Sequence, residues 1–221
     1  MAAPPPSIEG HPGWLFALQT FIVTGMQTTT TARPDAATGL ALGVLGVALT
    51  GFGVLGFVTH SPSTVSYLFS VAAVTVVLAL HQRRTLPPGL TLSLAGLAVA
   101  HLAGGLLNVG DDVLYNACLW TPVLQYDHVV HASAVFVGTI VLWTLLMPRS
   151  TDPVQRRDLI TVSMLAGLGL GAINEMIEFL TTIAHQGAHV GGYNNTGWDL
   201  VSNTIGALAA ARWLSRNATA A

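Results

Sequence analysis

The sequence has very little charge. Only 8% of its 221 residues are Asp, Glu, Lys or Arg, whereas 52% are apolar. A soluble domain carries about a quarter charged residues, so this composition excludes an ordinary soluble fold. Lysine is missing altogether, and the net charge of −2 gives no reason to expect a nucleic-acid partner. We predict an all-α, multi-pass membrane protein whose immediate partners are membrane lipids.

Cysteine is almost absent too. The single Cys118 excludes a disulfide within this chain and any metal site built from cysteine pairs. No basic residue precedes the first apolar stretch, so the start lacks the composition of a cleaved secretory signal. We expect residues 1–35 to form an N-terminal tail with a short apolar or interfacial segment. Residues 36–216 are expected to form one transmembrane helical domain, and residues 217–221 a C-terminal tail.

Long apolar stretches take up most of the remaining sequence. A helix needs about 20 mostly apolar residues to cross the hydrocarbon core of a bilayer. Stretches of this kind predict a bundle of six transmembrane helices. The six spans are roughly residues 36–59, 64–81, 89–110, 126–147, 157–180 and 197–214. The shorter segment 14–27 is predicted to form a seventh span or an interfacial helix.

The arginines predict how these spans are oriented. Every arginine lies in the connections on one side of the predicted bundle. They are Arg33, Arg83, Arg84, Arg149, Arg156, Arg157, Arg212 and Arg216. The loops near 60–63, 111–125 and 181–196 contain none. Because short cytoplasmic loops are enriched in Arg and Lys, we predict an N-in, C-in protein of the bacterial cytoplasmic (inner) membrane.

Polar side chains gather near the predicted outer ends of the last three spans. "YDHVVH" opens the fourth span, "NEMIEF" lies near the end of the fifth, and "WDLVSNTIG" opens the sixth. Residues four apart share a helix face, so each element turns its polar groups to one side. The predicted ligand or catalytic side chains are Asp127, His131, Glu175, Glu178 and Asp199. The predicted supporting side chains are Tyr126, Asn174, Trp198 and Asn203.

These acids need a neutralising partner. An unpaired acid at the centre of a membrane span costs roughly 2.5–3.5 kcal/mol, and the arginines are predicted at the other face. Three ways of neutralising the acids remain open: protons shared among the carboxylates, a protonated His128 or His131, or a bound cation. Carboxylates with imidazole would suit a divalent metal such as Zn, Mn, Fe or Mg. A structural hydrogen-bond network is the alternative, since a single Asp at a helix start often serves only as a cap.

The order of these motifs resembles the YjdF-type predicted inner-membrane proteins, a family of unknown function. Those proteins show Tyr-Asp-x-x-x-His, Asn-Glu-x-x-Glu and Trp-Asp-x-x-x-Asn-x-x-Gly, and all three elements are present here. The resemblance covers roughly residues 100–214. A looser similarity reaches the VanZ-like membrane proteins, one of which is associated with teicoplanin resistance. The loop "AHQGAHVGGYNNTG" departs from the family, whose members often carry a longer acidic loop at that place.

Three functions fit the pattern. The first is a metal-dependent hydrolase acting on a lipid or lipid-linked envelope substrate, with Glu175 or Glu178 as general base and Asn203 orienting a ligand or a developing oxyanion. The second is a proton- or cation-coupled transporter that uses the same acids. The third is a non-catalytic membrane scaffold or envelope-stress accessory protein, in which the polar side chains fix the register of the helices.

Overall fold

The structure, a computed structural model, describes residues 34–58, 86–120, 123–146, 153–184 and 192–217. Five α-helices make up most of this part of the chain. They are α1 Pro34–Val58, α2 Pro88–Leu106, α3 Tyr126–Leu146, α4 Pro153–Ala184 and α5 Tyr193–Asn217. Five of the predicted spans are therefore helices in the structure. The predicted span at 64–81 and the segment 14–27 lie outside the described residues.

Four of these helices are long and apolar enough to cross a membrane. The candidate spans are Gly39–Val58, Pro88–Leu106, Tyr126–Leu145 and Val154–Ile183. Helix α5 is not among them, because its polar first turns and terminal arginines lower its mean hydropathy. The prediction of a mostly helical fold with several candidate membrane spans is thus confirmed, while six spans and their orientation stay predictions.

Prolines mark where three of the helices begin. Pro34, Pro88 and Pro153 are the first residues of α1, α2 and α4, where a backbone N–H would have no partner within the helix. Helix α4 has 32 residues, which at 1.5 Å per residue gives a length of about 48 Å. That exceeds the roughly 30 Å hydrocarbon core of a bilayer, so α4 is long enough to project beyond it.

Two short hairpins connect α2 to α3. The sequence predicted helix as far as residue 110, but α2 ends at Leu106 and Leu107 is extended. Strand β1 (Asn108–Val109) then pairs antiparallel with β2 (Asp112–Val113) across a turn in which Gly110 has φ 66°. Few residues other than glycine adopt that backbone conformation readily, which suits Gly110 to this turn.

The second hairpin leads directly into α3. A 3-10 helix at Leu114–Asn116 precedes β3 (Cys118–Trp120), which pairs antiparallel with β4 (Leu124–Gln125). The Tyr126 N–H donates to the Ala117 carbonyl at 3.0 Å, so the first residue of α3 is fixed to the connection before it. The hairpins therefore lie at the end of the bundle where α3 begins.

Helix α3 is the central element of the described bundle. It packs against α5, α4 and α2, while α1 packs against α2. One end of the bundle holds a buried apolar core. That core consists of Leu86, Leu90, Phe136, Val137, Ile140, Val141, Ile160, Ala210 and Leu214. These residues come from the start of α2 and α4 and the later turns of α3 and α5, so neighbouring helices run in alternate directions.

Glycine allows α3 and α5 to approach closely. A Cβ atom at Gly206 would lie only 2.1 Å from the Ala132 carbonyl oxygen. On α4, a Cβ atom at Gly171 would lie 2.8 Å from the Asn203 side-chain nitrogen. Small residues at such positions are the usual means by which membrane helices pack backbone to backbone. Here they bring three helices together just below the polar residues.

Candidate functional site

His131 lies among three carboxylates contributed by two helices. Its Nδ1 is 3.1 Å from Glu175 Oε1, and its Nε2 is 3.3 Å from Asp127 Oδ1. Glu178 Oε1 lies 3.8 Å from the same Nε2. The i,i+4 spacing on α3 places Asp127 and His131 on one face, and α4 brings both glutamates to that face. The structure therefore joins two of the three sequence elements directly.

Helix α5 contributes the fourth carboxylate. Two groups of three side chains each bring one possible ligand atom per residue within 4.8 Å of the others. The first group is Asp127, His131 and Asp199, and the second is His131, Glu175 and Glu178. The predicted ligands thus form two groups that share His131. We refer to the five residues Asp127, His131, Glu175, Glu178 and Asp199 as the acid cluster.

Asparagine side chains hydrogen-bond every carboxylate of the acid cluster. Asn203 Nδ2 donates to Glu175 Oε1 at 3.4 Å, and Asn174 Nδ2 donates to Glu178 Oε1 at 2.6 Å. Asn195 Nδ2 donates both to Asp127 Oδ2 at 3.1 Å and to Asp199 Oδ2. Asn174 and Asn203 were predicted as supporting residues, whereas Asn195 was not. Its position four residues before Asp199 is the signal that could have identified it.

Two carboxylate oxygens of the acid cluster are buried without a donor. Asp199 has 0% and Glu175 5% of its surface exposed. Within the described residues, neither Asp199 Oδ1 nor Glu175 Oε2 has a hydrogen-bond partner. Buried charged groups in proteins are normally paired, hydrogen-bonded or bound to metal. The acid cluster therefore holds more acceptor oxygens than its own N–H groups satisfy.

The described arginines are too far away to neutralise these acids. Arg157 precedes Glu175 by 18 residues in α4, and Arg212 follows Asp199 by 13 residues in α5. At 1.5 Å per helical residue, these separations are about 27 and 20 Å along the bundle. The His131 ring nitrogens, by contrast, lie within 4 Å of oxygens of three of these carboxylates.

The two predicted aromatic residues border the acid cluster. The Tyr126 hydroxyl donates to the Ala100 carbonyl at 2.9 Å, which fixes the start of α3 against α2. Trp198 is 48% exposed, and its ring centroid lies 5.9 Å from that of His128. His128 itself is buried, and its Nδ1 accepts the Gln125 N–H at 3.2 Å. His128 therefore packs at the start of α3. A protonated His128 was one of the ways of neutralising the acids that the sequence left open.

A tyrosine–histidine pair beside α3 was not foreseen. The Tyr115 hydroxyl donates to the His101 carbonyl at 2.8 Å and also contacts His101 Nδ1. The Tyr115 ring lies where a side chain at residue 104 would be, since a Cβ atom at Gly104 would come within 2.5 Å of it. The Tyr115 and Tyr126 ring centroids are 6.1 Å apart. The connection between α2 and α3 is thereby packed against the same end of the bundle as the acid cluster.

Comparison with known proteins identifies the family. The sequence matches the family described as "Predicted membrane protein (DUF2238)" over residues 40–220, a range that includes every residue of the acid cluster. The YjdF-type proteins named from the motifs are that family. No curated protein and no solved structure gives a significant match, and the looser similarity to VanZ-like proteins stays a prediction. The chain therefore belongs to the DUF2238 family of predicted membrane proteins.

Proposed function

We propose that this membrane protein holds a divalent metal ion in the acid cluster. The observation that carries the proposal is the pair of buried oxygens, Asp199 Oδ1 and Glu175 Oε2, that lack a hydrogen-bond partner among the described residues. A cation bound at Asp199 Oδ1 would satisfy that oxygen, and its charge would offset the repulsion among the four carboxylates, including Glu175. An oxygen-rich set with an imidazole suits Zn, Mn, Fe or Mg. The donor set therefore fits such an ion.

The acid cluster is proposed to lie at the outer leaflet of a bacterial cytoplasmic membrane. Support comes from Arg156 and Arg157 at the start of α4 and from Arg212 and Arg216 near the end of α5, the ends away from the acid cluster. Basic residues favour the cytoplasmic side. At the cluster end, Trp198 is half-exposed, and tryptophan is typical of the headgroup level.

The reaction we propose is hydrolysis of a lipid or lipid-linked envelope substrate. A divalent cation would polarise the scissile group and activate water at neutral pH. Glu178 is less buried than Glu175, so it is the better placed general base. A site at headgroup level would meet the polar part of a lipid without the substrate leaving the membrane.

A second candidate follows from the contacts of His131. Both of its ring nitrogens lie 3.1–3.3 Å from carboxylate oxygens, which is also the geometry of a protonated imidazole between two acids. In that case a proton, instead of a metal ion, neutralises the acid cluster. The function would then be one of the two alternatives given by the sequence: proton-coupled transport, or a structural network in a non-catalytic protein.

Elemental analysis of the detergent-purified protein tests the proposal. We expect a fixed molar ratio of one divalent metal to the wild-type chain, and loss of that metal in Asp199→Asn. Asp158→Asn is the matched control, because Asp158 is exposed in the first turns of α4, far from the acid cluster. The cells would be grown in metal-supplemented medium and the protein purified without chelators. If the wild-type protein then contains no metal, the metal centre is wrong and a proton shared within the acid cluster is favoured.

A further inference from the structure

Asn195 holds two aspartates in a fixed arrangement. Its amide nitrogen donates to Oδ2 of Asp127 on α3 and to Oδ2 of Asp199 on its own helix α5. Each aspartate therefore has one oxygen engaged by the same amide and one remaining oxygen. Asp127 Oδ1 lies 3.3 Å from His131 Nε2, and Asp199 Oδ1 is buried without a hydrogen-bond partner in the described chain. This arrangement leaves two oxygens for a ligand beside an imidazole nitrogen.

The other nitrogen of His131 has a different partner. His131 Nδ1 lies 3.1 Å from Glu175 Oε1, and the same oxygen accepts the Asn203 amide at 3.4 Å. A neutral imidazole carries one N–H, and when that hydrogen is on Nδ1 it is donated to Glu175. Nε2 then carries the lone pair on the side of Asp127. In histidines that bind a metal through one ring nitrogen, the N–H of the other almost always donates a hydrogen bond to a carboxylate, a backbone carbonyl or water.

We propose that Asp127 Oδ1, His131 Nε2 and Asp199 Oδ1 are the protein ligands of one divalent cation, and that Glu175 is a positioning residue acting through His131. The proposal rests on the proposed function and deepens it by assigning separate roles within the acid cluster. Three protein ligands are the usual number at catalytic zinc sites, where a further position stays open to water or substrate. One imidazole with two carboxylates favours Zn, Mn or Fe over Mg.

The assignment also gives Glu178 its place. Its Oε1 lies 3.8 Å from His131 Nε2, the proposed nitrogen ligand, and its side chain is the less buried of the two glutamates. Asn174, one turn earlier on α4, fixes it there. The two glutamates of "NEMIEF" would thus have different roles: Glu175 orients the histidine through Nδ1, and Glu178 lies beside Nε2, the nitrogen that would bind the ion.

Zinc affinity of purified variants tests the division of roles. Full-length protein in detergent would be titrated with Zn²⁺ in competition with a chromophoric chelator. Asp127→Asn and Asp199→Asn, which change a ligand, are expected to lose at least roughly 100-fold in affinity, and Glu175→Leu about 10- to 100-fold. Glu175→Gln keeps an acceptor for the Nδ1 hydrogen and is expected to lose less than about tenfold. Asp158→Asn should bind as wild type does.

The outcomes separate this inference from the proposed function. If Glu175→Gln loses as much affinity as the aspartate variants, Glu175 is itself a ligand through Oε2, and the division of roles is wrong although the metal centre stands. If the wild-type protein binds none of Zn²⁺, Mn²⁺, Fe²⁺ and Mg²⁺ in the same titration, the proposed function itself is wrong.

Nitrogen NMR gives a second test that needs no cluster variant to fold. In ¹⁵N-histidine-labelled wild-type protein, added Zn²⁺ should shift His131 Nε2 while Nδ1 stays protonated. The His131 signals can be assigned by elimination, from single variants of the histidines outside the acid cluster. A shift of Nδ1 with Nε2 protonated would overturn the proposed ligand set, because the ion would then lie on the Glu175 side.

Discussion

Helices α3, α4 and α5 meet in two regions of opposite chemistry. At one end they bury Phe136, Ile140, Ile160 and Leu214 in an apolar core, and at the other end they bury the acid cluster. Apolar side chains pack between membrane helices without losing hydration, whereas buried carboxylates are costly within a bilayer. The apolar core therefore packs the helices together without that cost. The acid cluster carries the cost, and cation binding is the function that we propose for it.

The acid cluster is compensated by contacts between helices. His131 on α3 meets Glu175 on α4, Asn195 on α5 meets Asp127 on α3, and Asn203 on α5 meets Glu175. Each contact therefore joins a different pair of helices. The apolar core tolerates small changes of shape, but the acid cluster depends on individual hydrogen bonds. Substitutions in the two regions should accordingly have different effects on stability and on cation binding.

The largest effect is expected from His131→Leu. The change removes the imidazole that meets three carboxylates, and loss of one partner of a buried ion pair costs about 3–5 kcal/mol. We expect the free energy of unfolding in detergent to fall by that amount and zinc binding to disappear. Denaturant unfolding followed by circular dichroism measures the first, and the chelator titration the second. Unchanged stability would show that the carboxylates are neutral without His131.

Leu214→Ala is the corresponding change in the apolar core. Leu214 is fully buried, and Leu→Ala changes at such positions cost about 3 kcal/mol. Zinc affinity should stay within about twofold of wild type, since at 1.5 Å per residue Leu214 lies about 22 Å along α5 from Asp199. The same unfolding and titration experiments apply. A parallel loss of affinity would show that the two regions are not independent.

Gly206→Ala tests the close approach of helices between the two regions. The added Cβ would lie 2.1 Å from the Ala132 carbonyl oxygen, and overpacking of this kind costs about 1–3 kcal/mol. Gly169→Ala is the matched control, because no atom lies within 4 Å of a Cβ there. The thermal midpoint of the first variant should fall, and that of the second should stay or rise. Equal midpoints would contradict the packing of α3 against α5.

Asn195→Ala should have the smallest effect on stability and a clear effect on binding. Loss of its hydrogen bonds to Asp127 and Asp199 costs about 1 kcal/mol, and loss of an orienting partner lowers metal affinity about 10- to 100-fold. The exposed neighbour Asn194→Ala is the control. If both variants bind zinc equally well, Asn195 does not orient the aspartates.

The local motifs selected residues that the structure brings together at one end of the bundle, while their roles as ligands or catalytic groups stay predictions. The i,i+4 spacing of Asp127 and His131 and the placing of both glutamates on α4 follow from helical periodicity, which a sequence displays directly. The arginine pattern then predicted that the polar ends of the last three spans lie at the same end of the bundle. The structure unites the residues that this reasoning selected, because alternating helices leave those elements few other neighbours.

Features that depend on the chain folding back were not predictable in the same way. The hairpins at 108–125 use strands of two or three residues, too short for a periodic pattern. Tyr115 reaches His101 from a different element, so no sequence spacing reveals the pair. Asn195 precedes the Trp-Asp motif and was therefore not grouped with Asp199, although the two residues share a helix face. Such contacts become visible only when the elements are assembled.

An anomalous-scattering experiment on the zinc-loaded protein tests the central claim most directly. Diffraction data collected on both sides of the zinc edge would locate the ion independently of any variant. We predict one anomalous peak per chain, between Asp127, His131 and Asp199. A zinc-loaded crystal with no peak in the acid cluster, or with zinc only at exposed acids such as Asp111 and Asp112, would contradict the account.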